Sequence, residues 1–140
     1  MQSLALRTLR LSTSSRSEMI DVTSMIKKVL PAGFVNGFII VYVPHTTAGV
    51  TINENADPDV KGDMLKKLET LVPKQEAYYR HGEGNSDSHV KTALVGSSVT
   101  VLVDNGKMLL GQWQGIYFCE FDGPRQREFY VRPVDLAGPD

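Results

Sequence analysis

The continuous apolar run Phe38–Val43 constrains the fold of this chain more than any other feature. It follows Gly37 and stops at Pro44, whose nitrogen carries no hydrogen to donate to a neighbouring strand. An uninterrupted apolar run of this kind, bounded by turn residues, is typical of a β-strand that is covered on both faces. We therefore predict a strand over Gly37–Val43, inside a sheet with cover on either side.

Two segments before this strand carry different apolar patterns. Leucines alternate largely with polar residues over residues 4–11, which predicts an edge strand. The first 17 residues also contain arginines and serines but no acid, as transit peptides do, yet we favour the strand. Apolar side chains recur at helical spacing over Glu18–Leu30 and Pro31 follows them, so we expect an amphipathic helix there.

A second strand and a well-marked helix are expected after the central strand. Apolar and polar residues alternate over Thr47–Asn53, which predicts a strand with one buried face. Asp57 is a good N-cap and Pro58 suits a first turn, so a helix should run from there to about residue 72. We expect a loop over residues 73–86 and then a short helix that ends near Gly96.

The last third of the chain is predicted to be β-structure. Two apolar runs, Val99–Val103 and Met108–Leu110, flank an Asn-Gly pair that supplies the positive φ angles of a type I′ hairpin turn. A further strand pair is expected from Gly115–Phe121 and Glu128–Val134, joined across Asp122–Arg125. Mostly antiparallel strands with two main helices and one short helix make an α+β architecture. The length fits one domain over residues 1–140.

Charge and composition disfavour several classes of function. The formal net charge is -1 and no lysine or arginine stripe is present, which argues against nucleic-acid binding. No apolar stretch approaches the roughly 20 residues that cross a bilayer, so we expect no membrane insertion. The single cysteine, Cys119, allows no internal disulfide and is interpreted as a core residue. Nothing indicates an oxidising compartment, and we expect a cytoplasmic protein.

His45 ends the central strand and opens the first candidate site segment. A histidine held by a rigid sheet can face a cavity as a ligand or base, or it can bond the backbone of its own turn. Thr46 and Thr47 follow it and can either cap the turn or donate hydrogen bonds to an anion.

Two acidic residues follow in the next strand and helix. Counting alternate residues places Glu54 on the apolar face of its strand, as a helix-entry residue or as a site carboxylate with a raised pKa. Asp63 lies at the margin of the helix's apolar stripe, where it either points inward or is solvated.

The segment His81–His89 carries the most information about a ligand. Its glycines let backbone N–H groups converge, and the helix that begins near Ser86 offers its positive end, which together suit an anion such as phosphate. His89 lies about one turn into that helix and can face the same place. The Gly-Lys-Ser/Thr ending of a P-loop is missing.

The chain contains three histidines, His45, His81 and His89. Three neutral imidazoles would suit a zinc-type catalytic site with an open fourth position for water. Their spacing matches no standard metal motif, and the alternative is that they only satisfy local hydrogen bonds.

The fourth candidate segment surrounds Asp122. Glu120 and Asp122 share one strand face, although Asp-Gly-Pro is also an ordinary turn. Arg125 can bind a phosphate or carboxylate with two hydrogen bonds, or it can pair with Asp122. Upstream, Gln114 follows Trp113 and is either a site residue or a partner of the local backbone.

Taken together, these segments resemble the YjbQ family over about residues 3–134. The motifs that carry the resemblance occur in order as Pro44–Ala48, Asn53–Asn55, Glu83–His89, Leu110–Gln114 and Glu120–Arg125. The resemblance implies a sandwich-like α+β subunit, assembled as a homotrimer, with a metal-bearing pocket near the subunit boundary. In it His45 and His89 match motif histidines, and His81 matches a less tightly defined position. Some members carry the label secondary thiamine-phosphate synthase.

The resulting hypothesis is a metal-dependent enzyme that acts on a small phosphorylated metabolite, as a thiamine-phosphate synthase or a phosphate-ester hydrolase. The three histidines would hold a divalent metal, with zinc favoured over magnesium or manganese. Glu54 or Glu120 would serve as general base. The phosphate would be bound among Thr46, Thr47, Gly84, Asn85, Ser86, Asp87, Gln114 and Arg125. The alternative is a non-catalytic homotrimeric module that binds a metabolite or a metal.

Overall fold

The computed structural model describes residues 1–136, so residues 137–140 of the predicted domain lie outside the described part. The described residues form nine strands and three helices, in the order β1 (Gln2–Ser3), β2 (Arg7–Ser12), β3 (Glu18–Asp21), α1 (Thr23–Val29), β4 (Gly37–Tyr42), β5 (Ala48–Glu54), α2 (Pro58–Leu71), α3 (Ser86–Val95), β6 (Ser98–Asp104), β7 (Lys107–Met108), β8 (Gln114–Glu120) and β9 (Gln126–Asp135).

The strands form two antiparallel sheets that pack face to face. In the large sheet β9 lies between β4 and the N-terminal strands β1 and β2, and β4 continues to β6 and β7. The small sheet has the order β3-β8-β5. A shared core joins the sheets, with Val41 and Phe129 contributed by the large sheet and Val50 and Phe118 by the small one. The predicted α+β class with mostly antiparallel, sandwich-like sheets is confirmed.

The small sheet is covered on its second face by helix α2. Tyr117, Cys119 and Phe121 on that face pack with Met64 and Leu68 of the helix. Burial raises the pKa of the Cys119 thiol to about 12, as expected for an inert core residue. The side chain of Asp57 caps the helix by accepting a hydrogen bond from the Asp59 N–H at 2.9 Å, so the predicted helix start is confirmed.

The predicted helix over Glu18–Leu30 is wrong in its first turn. Met19 and its neighbours pair with β8 as strand β3, and Met19 is buried against the α2 side of the small sheet. The Asp21 carboxylate then accepts a hydrogen bond from the Thr23 N–H at 2.9 Å, which ends the strand and begins α1. Tertiary pairing thus overrides the helical spacing, and α1 instead of α3 is the shortest helix described.

The predicted strands after residue 114 exist, but they do not pair with each other. β8 is the middle strand of the small sheet, whereas β9 lies in the large sheet. The link Asp122–Arg125 therefore crosses from one sheet to the other. β8 pairs with β3 and β5, whereas β9 pairs with β4 on one side and with β1 and β2 on the other.

Strand β4 is covered on one face only, contrary to the prediction of cover on both. Its inward residues are fully buried, but Ile40 is 38% exposed and Tyr42 is 46% exposed on the outer face of the large sheet. Leu102 on the neighbouring β6 is 59% exposed beside them. The described helices pack mainly on strands of the small sheet, so a single chain leaves an apolar surface on the outer face of the large sheet.

The remaining elements follow the sequence pattern. The β6–β7 turn has φ of 51° at Asn105 and 74° at Gly106, as the type I′ prediction requires. β2 pairs with β9 alone, which makes it the predicted edge strand. None of the helices that the described residues form is long and apolar enough to cross a bilayer.

Candidate functional site

Three separate chain segments meet around a cavity of about 230 Å³, which we call the histidine cavity. They are the turn between β4 and β5, the loop that leads into α3, and the link between the two sheets. The residues that line it are Thr46, Thr47, His81, Glu83, Asn85, His89 and Arg125. These are side chains of the kind that bind small polar molecules, brought together from distant parts of the chain.

A buried ion pair fixes the floor beneath this cavity. Arg127 of β9 donates hydrogen bonds to both carboxylate oxygens of Glu120, at 2.8 and 2.5 Å. Burial alone would raise the pKa of Glu120, but the hydrogen bonds from Arg127 and from the Asp122 N–H hold it below its ordinary value. Arg127 also donates to the Thr47 hydroxyl at 2.9 Å, so Thr47 is held from below.

Asp122 ties two of the lining side chains together. Its Oδ2 accepts hydrogen bonds from the Asn85 amide at 2.7 Å and from the Arg125 guanidinium at 2.5 Å. Arg125 Nε also donates to the Asp122 carbonyl at 2.8 Å. Asp122 therefore positions both Asn85 and Arg125, although it does not line the cavity itself.

The amide oxygen of Asn85 is buried and has no hydrogen-bond partner in the described part of the chain. The amide orientation is set, because Nδ2 donates to Asp122. The orphaned atom is therefore an acceptor on a residue that lines the cavity, and a buried acceptor without a donor is costly. A ligand that carries an N–H or O–H group would supply the missing bond.

Helix α3, which carries His89, is anchored by a second buried ion cluster. Asp87 accepts hydrogen bonds from Arg16 at 2.9 and 3.0 Å and from Lys91 at 3.0 Å. Its burial disfavours the charged form, yet these two cations lower the pKa of Asp87 to about 2. Ser88 donates to the Phe121 carbonyl at 2.5 Å, which holds the helix against the end of β8.

His81 and His89 lie side by side at the cavity. Their ring centroids are 5.5 Å apart and the rings are nearly perpendicular, at 83°. Glu83 lies 4.0 Å from the His81 Nε2 atom. Ser86 lies nearby, in an adjoining open hollow of about 380 Å³ that both histidines also line. Two imidazoles, a carboxylate and a guanidinium thus surround one small space.

His45 is placed differently from the other two histidines. Its Nε2 lies 2.8 Å from the Glu128 carbonyl oxygen, and its ring packs edge-on to Phe118 at 6.5 Å between centroids. It is not among the residues that line the histidine cavity. The expectation that all three histidines share one centre is not met within one chain, because β9 holds His45 away.

The predicted metal does not fit this single-chain arrangement. Among residues 1–136 no group of three or more histidine, cysteine, aspartate or glutamate side chains is arranged to hold a metal ion. His81 and His89 would supply two imidazole ligands. His45 does not supply a third, because its Nε2 lies against the Glu128 carbonyl oxygen.

Glu54 and Gln114 lie at the wrong end of the small sheet for the predicted site. They face each other across β5 and β8, whereas the cavity adjoins the other end of β5. Along a strand of that length the separation is roughly 20 Å. Gln114 instead accepts a hydrogen bond from the Gly111 N–H at 2.7 Å, which is its predicted alternative role.

Three other predicted roles are corrected by their hydrogen bonds. Glu120 cannot serve as a ready base, because both of its oxygens are occupied by donors and it is fully buried. Asp87 is likewise buried, and both of its carboxylate oxygens are bonded to Arg16 and Lys91 instead of facing the cavity. The Gly84 N–H donates to the His81 carbonyl at 3.1 Å and is not free for an anion.

Arg127, Arg16 and Lys91 are the structural residues that the sequence reasoning missed. Arg127 alternates with Phe129 and Val131 on the inward face of β9, and a cation on such a face requires a buried carboxylate. That alternation in the sequence indicates a buried arginine in need of a carboxylate partner. Arg16 gives no comparable signal, since only the folded chain brings it to Asp87.

Comparison with known proteins agrees with the fold and covers nearly the whole chain. Residues 7–135 match the model of the family described as UPF0047 protein YjbQ-like. The chain is 52% identical over 128 residues to UPF0047 protein YugU of Bacillus subtilis, covering 91% of this chain and 97% of that protein. It is also 52% identical over 126 residues to a UPF0047 protein of Methanocaldococcus jannaschii, covering 89% of this chain and 91% of the relative.

Solved structures show the same architecture. An uncharacterised conserved protein of the YjbQ/UPF0047 family from Clostridium acetobutylicum superimposes with a TM-score of 0.89 at 49% identity. The match covers 91% of this chain and 99% of that structure. A hypothetical protein from Aeropyrum pernix gives a TM-score of 0.87 at 32% identity, covering 94% and 99% of the two chains.

Proposed function

The chain belongs to the UPF0047 YjbQ-like family, and we propose that it binds a small phosphorylated molecule in the histidine cavity and acts on it by proton transfer. The observation that carries this proposal is the convergence of His81, His89 and Arg125 on one space of about 230 Å³. The adjoining hollow of about 380 Å³, which both histidines also line, extends this space enough for a compact metabolite.

Arg125 and Thr46 are the proposed phosphate-binding groups. Arg125 uses Nε and Nη2 to bond Asp122, which leaves its Nη1 hydrogens for a ligand, and its side chain is half exposed. Guanidinium groups bind phosphate through directed, charge-assisted hydrogen bonds. Thr46 is exposed at the same cavity and offers a hydroxyl. Thr47 is less available because Arg127 already donates to its hydroxyl.

His89 is the proposed proton acceptor or donor. Imidazole is the side chain best suited to exchange protons near neutral pH. His89 lies on α3, whose first turn is anchored by the buried ion pairs of Asp87 with Arg16 and Lys91. His81 packs its ring against His89 from the loop side and can share this role. Glu54 and Glu120 have no part in this scheme because of their positions.

A non-catalytic binding module is the second candidate, favoured by two observations. Both carboxylates expected to act as the base are either distant or fully hydrogen-bonded. The orphaned Asn85 oxygen also fits a site that only captures a ligand with a donor group.

The homotrimer, the divalent metal and the cytoplasmic location stay proposals alongside this one. The apolar outer face around Ile40, Tyr42 and Leu102 supports self-association, since a lone chain leaves it open to water. A metal, zinc first, would need ligands beyond His81 and His89, as a site near a subunit boundary could provide. Metal analysis of tag-free protein tests this directly. The single buried thiol is consistent with a cytoplasmic protein.

A substrate panel separates the enzyme from the binder. Purified protein is assayed with phosphate monoesters and with thiamine precursors, with and without zinc, magnesium or manganese. If it is an enzyme, His89→Ala should lower turnover about 100-fold or more while leaving phosphate affinity within a fewfold, as expected for loss of general acid–base catalysis. Leu94→Ala, an exposed change on the same helix, serves as the control and should leave turnover unchanged.

The opposite results discriminate equally well. Saturable binding with no turnover on any substrate would establish the binding module. Turnover that survives His89→Ala and His81→Ala together would remove proton transfer by this pair from the proposal.

A further inference from the structure

A second cavity, of about 660 Å³, lies between α1 and the β6–β7 hairpin. It shares no lining residue with the histidine cavity. Small-molecule sites commonly have volumes of about 300–1,000 Å³ and a mostly apolar lining with a few polar groups. We call this space the helix–hairpin cavity, and the part of its lining that matters here is Lys27, Leu30, Phe34, Lys107, Met108 and Leu110.

The apolar side of this cavity is continuous with the protein's main core. Phe34 belongs to that core and is 5% exposed. Leu30, Met108 and Leu110 pack against the same core while remaining partly exposed. An apolar group placed here would extend the core outward and remove these side chains from water, which is favourable in proportion to the area covered.

Two lysines supply the polar part of the lining. Lys27 comes from the last turn of α1 and Lys107 from the start of β7, and both side chains are exposed. Neither ammonium pairs with a carboxylate elsewhere in residues 1–136. The lining includes no acidic residue, so the cavity presents net positive charge next to apolar surface.

The walls are held in place by hydrogen bonds from backbone N–H groups, one to a carbonyl and one to the Thr23 hydroxyl. The Gly106 N–H donates to the Val35 carbonyl at 2.9 Å, which ties the hairpin turn to the segment after α1. Thr23 at the start of α1 accepts a hydrogen bond from the Ile116 N–H at 2.9 Å. Both sides of the cavity are thus attached to the sheets, and the space between them is preformed.

We propose that the helix–hairpin cavity binds an amphipathic carboxylate, a small molecule with an apolar body and one anionic head. The body would lie on Leu30, Phe34 and Leu110, and the carboxylate would lie between Lys27 and Lys107. This site is independent of the proposed function, since it uses none of the residues of the histidine cavity.

The test uses octanoate as the probe and 1-octanol as its uncharged counterpart, with isothermal titration calorimetry on the full chain. Octanoate should bind saturably and more tightly than 1-octanol. Lys27→Ala and Lys107→Ala should each weaken octanoate about two- to fivefold, the effect of one exposed charge pair, and leave 1-octanol unchanged. The double variant should weaken octanoate about tenfold.

Lys28→Ala is the matched control, because Lys28 is exposed next to Lys27 and does not line the cavity. Its octanoate affinity should equal that of the parent chain. The proposal is overturned if octanoate shows no saturable binding at millimolar concentrations, or if the lysine variants bind it as well as the parent. It is also overturned if the double variant changes the oligomeric state, since the cavity would then be an interface between copies of the chain.

Discussion

Glu120 and Arg127 form the ion pair on which the geometry of the histidine cavity depends. Both side chains are almost fully buried, and the pair joins the end of β8 to the start of β9. Because Arg127 also holds Thr47, loss of the carboxylate would disturb the lining as well as the core. A buried ion pair contributes little net stability compared with apolar residues in its place. Removing one of its two partners, however, is strongly destabilising because the other charge stays buried.

Glu120→Gln should lower the free energy of unfolding by about 3–5 kcal/mol, because it leaves the Arg127 charge buried without its counterion. Urea denaturation followed by circular dichroism measures this. Glu128→Gln is the control, since Glu128 is partly exposed, pairs with the exposed Arg10 at 3.6 Å and accepts a hydrogen bond from the Tyr130 hydroxyl at 3.3 Å, which glutamine can retain. The change there should be within about 0.5 kcal/mol. Equal effects of the two substitutions would contradict the importance of the buried pair.

The lowered pKa of Asp87 predicts how the free energy of unfolding depends on pH. Its pKa falls from 3.8 to about 2 in the folded chain, so the folded state holds this carboxylate ionised more strongly than the unfolded state does. The resulting stabilisation is fully present above pH 3.8 and is lost as the pH falls toward 2. A shift of this size corresponds to about 2 kcal/mol.

Urea titrations at several pH values test the Asp87 prediction. The parent chain should lose stability steeply between pH 4 and 2, and Asp87→Asn should be less stable at neutral pH but flatter over that interval. Asp59→Asn, at an exposed position in α2, should retain the parent's slope. An unchanged slope in Asp87→Asn would contradict the assignment.

At the scale of elements, the approach of β5 to the end of α3 depends on Gly49. A Cβ atom at this position would lie 2.4 Å from the Gly96 carbonyl oxygen, which belongs to the backbone and cannot rotate away. The Gly96 carbonyl oxygen also accepts a hydrogen bond from the Val50 N–H at 3.1 Å. This close contact fixes the distance between β5 and the end of α3, and it thereby positions α3 beside the histidine cavity.

Gly49→Ala should destabilise the chain by about 1–3 kcal/mol, the usual cost of overpacking a close contact. Gly62→Ala in α2 is the matched control, because a Cβ there meets open space and alanine favours a helix, which should stabilise by about 0.4–1 kcal/mol. Thermal and urea denaturation show whether each substitution raises or lowers the free energy of unfolding. A stabilising Gly49→Ala would show that the helix can move freely on the sheet.

Much of the fold was predictable at this scale, and the errors have specific causes. The cap at Asp57 and the Asn105–Gly106 turn are local signals, and both elements formed as expected. Met19 falls within a helical pattern in the sequence, and the contacts with β8 that make it part of a strand are not local. The closeness of β8 and β9 in the sequence likewise predicts that they pair, whereas the two strands lie in different sheets.

The sequence indicates which segments form the candidate site, but it does not indicate the role of each residue in them. Polar residues at strand and helix ends marked the segments of His81, His89 and Arg125, because such ends meet at one edge of a layered fold. Whether a carboxylate meets a ligand or a buried cation depends on distant partners. Asp87 and Glu120 therefore required the folded chain, which supplies Arg16, Lys91 and Arg127.

At the scale of the whole molecule, the outer face of the large sheet is the main unsatisfied surface. Leu102, Tyr42 and Ile40 lie exposed on adjacent strands, at a place where the sequence predicted cover. An oligomer that buries this face would supply the second cover of β4. This is the physical argument for the proposed homotrimer.

Leu102→Glu should shift the assembled chain toward monomer, because it buries a charge in the proposed interface. Size-exclusion chromatography with light scattering measures the mass, which should be three chain masses for the parent. Leu71→Glu is the control, since Leu71 is 61% exposed, like Leu102 at 59%, but lies at the end of α2. A parent chain that is monomeric at high micromolar concentration would contradict the assembly.

The central claim, that His81 and His89 face a site for a phosphorylated molecule, is tested most directly by nuclear magnetic resonance of the three imidazole rings. The account predicts that glycerol 3-phosphate shifts the His81 and His89 signals saturably, with one dissociation constant, while His45 stays unchanged against Phe118. Arg125→Ala should weaken that binding markedly. Signals of His81 and His89 that do not move at millimolar glycerol 3-phosphate would contradict the account.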